Sequence, residues 1–239
     1  FLFDAGRGAL QRLFQLKIPF GEINSLFLTH LHSDHVVGIP DLWLTGWIGQ
    51  PWGGRKVPLR VLGPLGTKEM MSHLEKAYQF DIRIRAHYPK DGVAVVADDF
   101  TGGVVYEKNG LRITAFEVDH GRVKPAYGYR IDYAGRSVVL SGDTRFNPEL
   151  IKASQGARLL IHEAFRTDQE KEQASNHGHS TAGEAGRAAA QADVAELVLT
   201  HLDSAFHADP GPLIADAKKH YNGPISSAND LDQITVSSP

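Results

Sequence analysis

Four potential metal ligands stand close together near the start of the chain. His30, His32, Asp34 and His35 lie within six residues, directly after an apolar run. Imidazole and carboxylate groups are ligands that Zn²⁺ accepts, and that Mn²⁺ or iron can also accept. In an extended segment, residues two apart point the same way, so His30 and His32 can face one ion. A turn after His32 would let Asp34 and His35 face a second ion.

The elements that must position these ligands are strands. Residues 23–29 and 197–200 are apolar and β-rich, and they end directly before His30 and His201. Asn109-Gly110 and Ala134-Gly135 sit between β-rich runs and predict two hairpins. Helices are predicted at residues 9–16, 67–78, 181–192 and 212–220, and a closing strand at 234–236. Hairpins mixed with separate helices favour an α/β (α+β) fold with helices packed outside sheets.

Composition narrows the class of protein. A chain of 239 residues with 42% hydrophobic content can form one large domain, which we predict to span residues 1–239. The net charge of −3 disfavours an extended nucleic-acid surface. The absence of cysteine excludes disulfides and thiolate metal sites. The cellular compartment therefore cannot be inferred from cysteine usage. No apolar run reaches the roughly 18 residues of a membrane span.

The cluster and several later segments carry a family resemblance. Residues 29–42 (THLHSDHVVGIPDL) resemble the signature of metallo-β-lactamase-fold hydrolases, in the ribonuclease Z and arylsulfatase branch. Ordered matches extend along nearly the whole chain, which makes the resemblance far more specific than one motif. These further segments are Phe3-Asp4-Ala5-Gly6-Arg7-Gly8, Val118-Asp119-His120-Gly121, Ser141-Gly142-Asp143-Thr144-Arg145, Ile161-His162-Glu163-Ala164, His177-Gly178-His179-Ser180-Thr181-Ala182 and Leu199-Thr200-His201.

The resemblance implies a fold and a ligand set. The implied fold is a four-layer αββα sandwich. Because Phe1-Leu2-Phe3-Asp4 already has the pattern of a strand, we expect N-terminal strands to precede this sequence. The implied cofactor is two Zn²⁺ ions, with Mn²⁺ or iron as alternatives. The resemblance assigns His30, His32 and His120 to one ion, Asp34, His35 and His201 to the other, and Asp143 as the bridge.

This centre would perform hydrolysis. Two ions sharing a water lower its pKa and hold it as hydroxide. Asp34 could orient that hydroxide as a base. We expect His179 to protonate the leaving group or stabilise the transition state, and Glu163 to orient His179. The alternative is that Glu163 and His179 only cap the helix that begins near Thr181.

The spacing of two ligands bears on the substrate. Ribonuclease Z enzymes usually carry a long tRNA-gripping arm between the third histidine and the bridging aspartate. Asp143 follows His120 by only 23 positions, which two strands and a turn nearly fill. The Trp43-Leu44-Thr45-Gly46-Trp47 stretch resembles arylsulfatase-type relatives. The expected substrate is therefore a small anionic ester, an aryl sulfate or a phosphodiester. Trp43, Trp47 and Trp52 could wall its pocket or form an ordinary packed cluster.

Two other functions remain open. One is a ribonuclease Z-like endonuclease that processes the 3′ end of tRNA, which predicts cleavage of pre-tRNA. The other is a non-catalytic metal-binding module, against which the complete ligand set argues. Homodimers are common among the similar proteins, so a second copy of the chain is a candidate partner.

Overall fold

The structure is a computed structural model that describes residues 1–49 and 51–236. Contacts between Cα atoms divide the chain into two compact units, Phe1–Thr101 and Gly102–Pro239. Each unit has its own sheet and its own hydrophobic core. The division into two units does not test the prediction of a single domain over residues 1–239, which stays a prediction. Within the described residues, no helix combines the length and the apolar character needed to cross a membrane.

The first unit contains a four-stranded parallel sheet in the order β1-β2-β3-β4. Its central strand β2 is buried along its whole length, as expected for a parallel strand with both faces covered. The elements are β1 (Leu2–Phe3), α1 (Ala9–Gln15), β2 (Ser25–Phe27), α2 (Ser33–Val36), α3 (Ile39–Ile48), β3 (Leu59–Gly63), α4 (Thr67–Ala77), α5 (Gln79–Ile84), α6 (Lys90–Val93) and β4 (Val95–Asp99), with a 3₁₀ turn at Phe20–Glu22.

Helix α3 begins directly after the histidine cluster and was missed by the sequence patterns. Pro40 occupies its first turn, where the missing N–H costs nothing. Trp43 and Trp47 are buried in the core, and their indole N–H groups donate to the Val93 and Pro89 carbonyls, both at 2.8 Å. Of the two alternatives for these tryptophans, the structure therefore fits the packed cluster and not the wall of a substrate pocket.

The first unit also buries an arginine. The Arg55 guanidinium is 1% exposed and donates to the carbonyls of Trp43, Leu42 and Phe20 at 3.0–3.3 Å. Burial lowers the pKa of Arg55 to about 10, so the side chain stays charged at neutral pH. Gly46 makes room for it, because a Cβ there would lie 2.2 Å from the guanidinium. Arg55 thereby fastens the loop after α3 onto that helix.

The second unit contains a seven-stranded mixed sheet in the order β11-β10-β9-β8-β7-β6-β5. Strands β8 to β11 are parallel, whereas β5 to β8 form an antiparallel meander. The elements are β5 (Gly103–Lys108), β6 (Leu111–Glu117), β7 (Tyr127–Tyr133), β8 (Arg136–Leu140), α7 (Pro148–Ala153), β9 (Leu159–Glu163), α8 (Lys171–Asn176), α9 (Ala182–Gln191), β10 (Leu197–Thr200), α10 (Gly211–Ala217) and β11 (Ile225–Ser227), with 3₁₀ turns at Asp168–Glu170 and Ser204–Phe206.

Local sequence signals explain much of this unit. Both predicted hairpins are present, and Asn109 and Gly110 each adopt positive φ, as a two-residue hairpin turn requires. Thr181 and Glu184 form a capping box at the start of α9, whose alanine face enters the core. The strand predicted at 234–236 is wrong, because these residues pair with no strand and β11 forms the edge of the sheet.

Candidate metal-binding residues

In the first unit, the structure brings the four clustered side chains together. The ring centroid of His30 lies 4.8 Å from that of His32 and 4.1 Å from that of His35. The His35 Nε2 atom is 3.6 Å from an Asp34 carboxylate oxygen. His30 and His35 are buried, whereas His32 and Asp34 are exposed. The turn after His32 that the spacing required is the short helix α2.

Asp4 supports this group, and the sequence reading gave it no role. One Asp4 oxygen accepts the Thr29 backbone N–H at 2.8 Å; the other accepts the Thr29 hydroxyl at 2.8 Å and contacts His35 Nδ1 at 2.7 Å. The Thr29 hydroxyl also contacts His30 Nδ1 at 3.0 Å. Since Thr29 donates to Asp4, His30 Nδ1–H must be the donor to Thr29. Both rings thus carry the proton on Nδ1 and the lone pair on Nε2, the tautomer that a metal ligand needs.

Replacing Asp4 by asparagine is expected to weaken metal binding without removing any predicted ligand. Asparagine has one acceptor oxygen in place of two, so it cannot accept from both the His35 Nδ1–H and the Thr29 N–H as the carboxylate does. Loss of such a supporting group typically costs about 10–100-fold in metal affinity. Competition titration with a chromophoric chelator would measure the change. Asp91→Asn, at an exposed position of the same unit, is the matched control. Equal affinities for the two variants would contradict this role.

In the second unit, Asp143 lies at the centre of the predicted group. It is 3% exposed; its carboxylate is 3.3 Å from His201 Nε2 and 3.9 Å from both His120 Nε2 and His179 Nδ1. Strands β8, β9 and β10 are parallel neighbours, so Asp143, Glu163 and His201 emerge at the same edge of the sheet. The three side chains therefore lie at one edge of the sheet of this unit.

His201 carries backbone strain at this edge. Its φ of 51° lies in the left-handed region that few residues other than glycine adopt. Such strain persists where the surrounding structure holds a functional side chain in place. The β10–β9 pairing, with Thr200 opposite Glu163, supplies that support.

Gly178 holds His120 in its orientation. The His120 Nδ1–H donates to the Gly178 carbonyl at 2.9 Å, which leaves the lone pair of that ring on Nε2. Gly178 has a φ of 86°, and a Cβ there would lie 2.8 Å from His120 Nδ1. Only glycine therefore permits this contact without displacing the His120 ring.

Replacing Gly178 by alanine is expected to lower both stability and metal affinity. The left-handed backbone alone costs an L-residue about 1–2 kcal/mol, and the displaced His120 ring should cost about tenfold or more in affinity. Gly156→Ala is the matched control, because Gly156 also has positive φ (62°) but meets nothing within 4 Å. The midpoint temperature of thermal unfolding should be lower in both variants, whereas metal affinity should fall only in Gly178→Ala. Loss of affinity in neither variant would show that Gly178 does not position a ligand.

Glu163 and His179 form the expected pair. Glu163 is completely buried, and its Oε1 accepts the Thr144 N–H at 2.6 Å and contacts His179 Nδ1 at 3.0 Å. Burial, and secondly the charge of Asp143, raise the pKa of Glu163 well above its ordinary value. The ring of Phe165 stacks on that of His179 with centroids 4.5 Å apart. Glu163 and Phe165 together fix the plane of the imidazole.

The capping alternative for this pair does not hold. Thr181 and Glu184 cap helix α9, so neither Glu163 nor His179 serves that purpose. His177 is exposed and contacts the Gln173 carbonyl at 2.8 Å, away from the carboxylates. The choice of His179 over His177 therefore agrees with the contacts in the structure.

The donor atoms fit a metal site. Ligand atoms of His120 and Asp143 lie within 4.8 Å of each other, and the His201 Nε2 is 3.3 Å from the Asp143 carboxylate. Imidazoles gathered around a buried carboxylate are typical of sites for zinc and related ions. The His120 Nδ1 is engaged by the Gly178 carbonyl, which leaves Nε2 as the ligand atom of that ring. The identity and number of the ions, and the role of each residue, are taken up below as proposals.

Comparisons with known proteins agree with this chemistry. A family model described as "Beta-lactamase superfamily domain" matches residues 1–202. Among solved structures, the metallo-β-lactamase fold protein YhfI from Bacillus subtilis matches 96% of this chain and 85% of its own, with a TM-score of 0.78 and 24% identity. Human tRNase Z, short form (ELAC1), matches 99% of this chain and 88% of its own, also with a TM-score of 0.78 and 24% identity.

The chain therefore belongs to the β-lactamase superfamily, has the metallo-β-lactamase fold and is a metal-dependent hydrolase. Within that class, it is similar to a protein named Ribonuclease Z from Mycobacterium marinum. The two are 34% identical over 246 residues, which cover 99% of this chain and 88% of the relative. The predicted family and fold class are thereby confirmed, and the comparisons favour the ribonuclease Z alternative over the arylsulfatase reading.

Proposed function

We propose that the chain is a ribonuclease Z-like endonuclease that hydrolyses a phosphodiester bond near the 3′ end of tRNA precursors. The observation that carries this proposal is the similarity to a protein named Ribonuclease Z over 99% of the chain. The buried carboxyl–imidazole pair of Glu163 and His179 beside Asp143 supplies groups that can hold and transfer a proton.

The proposed cofactor is a pair of divalent metal ions, with zinc favoured by the nitrogen and oxygen donors. When bound, the ions would supply an activated water and stabilise negative charge on the phosphate oxygens. The proposal assigns them the ligands that the family resemblance implies. These are His30, His32, Asp34, His35, His120, Asp143 and His201.

The side chains of the chain handle the protons in this proposal. Asp34 would accept the hydrogen bond that orients the attacking water, since its carboxylate is half exposed beside His35. His179 Nδ1 is engaged by Glu163, so Nε2 is the atom that would deliver a proton to the leaving oxygen as the P–O bond breaks. Glu163 would then stabilise the charge on His179 during this transfer.

One observation favours a second function, hydrolysis of a small phosphodiester or aryl sulfate. Residues 127–140 between His120 and Asp143 form only strands β7 and β8 and their turn, so this chain carries no arm there. The same feature does not separate it from the M. marinum relative. Their alignment of 246 positions only slightly exceeds the 239 residues of this chain, which leaves no room for a long insertion.

A substrate panel would test the proposed function. Metal-loaded protein would be assayed on a pre-tRNA with a 3′ extension, on bis(p-nitrophenyl) phosphate and on p-nitrophenyl sulfate. The proposal predicts endonucleolytic cleavage of the pre-tRNA, accompanied by slower hydrolysis of bis(p-nitrophenyl) phosphate. Hydrolysis of the small esters without any cleavage of pre-tRNA would establish the second function instead. A preference for the sulfate would favour the arylsulfatase reading, and inactivity on all three would contradict both functions. The homodimer stays a prediction, which light scattering on the same sample would check.

A further inference from the structure

A polar cavity opens at one edge of the second sheet, next to His201. Its volume is about 680 Å³, within the range of small-molecule binding sites. Strands β10 and β11 are parallel neighbours, and the segments that follow them line the cavity from both sides. Ligands of open α/β sheets characteristically bind outside the carboxyl ends of parallel strands. The cavity therefore has both the size and the position of a substrate subsite.

The two lining segments are held in defined conformations. After β10, the His207 ring contacts the Leu202 carbonyl at 3.0 Å through Nε2. After β11, the Ala228 N–H donates to the Leu199 carbonyl at 2.8 Å. The Asn229 N–H donates to the Asp232 carboxylate at 2.8 Å, closing a turn that presents Asn229 and Asp230 to the cavity. A subsite with walls fixed by such hydrogen bonds is largely preformed.

The polar groups of this cavity do not suit a phosphate. Neither Lys nor Arg is among its described lining residues, which include Ser227, Asn229, His207 and the carboxylate of Asp230. Asp203, in the same loop as His207, accepts a hydrogen bond from Arg166 at 2.8 Å and does not line the cavity. A lining that offers carboxylate, amide and hydroxyl oxygens is suited to accept hydrogen bonds from hydroxyl groups.

We propose that this cavity binds the ribose of a nucleotide flanking the scissile phosphate, with Asp230 accepting a hydrogen bond from its 2′-hydroxyl. Acidic side chains recognise ribose hydroxyls in this way in dinucleotide-binding folds. The 2′-hydroxyl is also the group by which a protein distinguishes RNA from DNA at a given site. Because His201 both lines the cavity and contacts Asp143 at 3.3 Å, the bound sugar lies next to the proposed hydrolytic centre.

This inference rests on the proposed function, and it is tested by the preference for ribose over deoxyribose. The pre-tRNA would be prepared with ribose or with 2′-deoxyribose at the two nucleotides flanking the cleavage site. For the unaltered protein we expect a preference for ribose of about tenfold in kcat/KM, the size of one hydrogen bond to a charged group. Asp230→Ala should reduce this ratio to near one, chiefly through KM for the ribose substrate.

A second variant of the tested residue, Asp230→Asn, keeps the size of the side chain. Asp193→Asn makes the same change at another position and is its matched control. Asp193 is exposed and lines a different surface depression, so its variant should keep the full preference for ribose. Equilibrium dialysis with AMP and 2′-deoxy-AMP gives a second readout that does not depend on catalysis. AMP should bind more tightly to the unaltered protein, and this difference should disappear in Asp230→Ala.

The outcomes separate the inference from the proposed function. If the protein cleaves both pre-tRNAs equally well, or if Asp230→Ala keeps the preference, the ribose subsite is wrong while the endonuclease function stands. If the protein cleaves no pre-tRNA, the proposed function is wrong, and the dialysis result alone decides the subsite. Loss of the preference in Asp193→Asn as well would also overturn the assignment to Asp230.

Discussion

Replacing Asp143 by asparagine is expected to abolish metal binding and hydrolysis together. Asp143 is buried beside His120, His179 and His201, within 3.3–3.9 Å of a nitrogen of each. The substitution keeps the size of the side chain but removes its charge and one of its acceptor oxygens. Because several kcal/mol of charge stabilisation depends on the metal, we expect phosphodiester hydrolysis to fall by about a thousandfold or more.

The measurement for Asp143 combines metal content with activity. Purified Asp143→Asn should retain less metal after dialysis than the unaltered protein, and added zinc should not restore activity. Asp193→Asn makes the same chemical change at an exposed position and should behave as the unaltered protein does. Circular dichroism would show that the fold survives in both variants. A variant at Asp143 that binds metal and hydrolyses substrate normally would refute its assignment as a ligand.

The second large effect is expected at the Glu163–His179 pair. Loss of a positioned proton donor typically costs 10²–10⁴-fold in rate, so His179→Ala should lower kcat by about that factor. Glu163→Gln can still accept the Thr144 N–H but cannot stabilise a charged imidazole, and we expect a loss of about tenfold to a hundredfold. Since the two groups act as a unit, the double variant should be scarcely slower than His179→Ala.

His177 provides the control for this pair. It lies two residues from His179 but is exposed, and its Nδ1 contacts the Gln173 carbonyl at 2.8 Å. His177→Ala should therefore leave kcat unchanged, and metal content should be normal in all of these variants. Steady-state kinetics on bis(p-nitrophenyl) phosphate would measure kcat and KM for each. Multiplicative effects in the double variant, or an equal loss in His177→Ala, would contradict the proposed proton-transfer role.

The sequence predicted best those parts of the site that depend on local pattern. Apolar runs of a few residues mark β2 and β10, and the polar residues just after them include His30 and His201. Likewise, the Asn109-Gly110 pair requires positive φ and so marks a hairpin. These features are local, because the residues that cause them are neighbours in the chain.

Features that depend on residues distant in the chain could not be predicted from local sequence patterns. Asp4 orients His35 from 31 positions away, and no local signal connects the two. Helix α3 is apolar on most of its surface because it is buried, so it lacks the polar face that marks a helix in sequence. The stacking of Phe165 on His179 likewise appears only once β9 and the loop before α9 are folded.

The substrate class was harder to predict from the sequence than the fold. The short connection between His120 and Asp143 disfavours a long arm at this place, and in the structure residues 127–140 form only β7, β8 and their turn. The M. marinum relative nevertheless aligns without a long insertion and bears the name Ribonuclease Z. A short connection between these two residues therefore does not separate this chain from a relative of that name.

The most direct test of metal-dependent hydrolysis is removal and return of the metal. Protein stripped with a chelator would be titrated with zinc while bound metal and phosphodiester cleavage are measured on the same samples. We predict that the stripped protein is inactive, that activity rises with bound metal, and that it reaches its plateau near two ions per chain. Full activity in stripped protein that contains no metal would contradict the central claim.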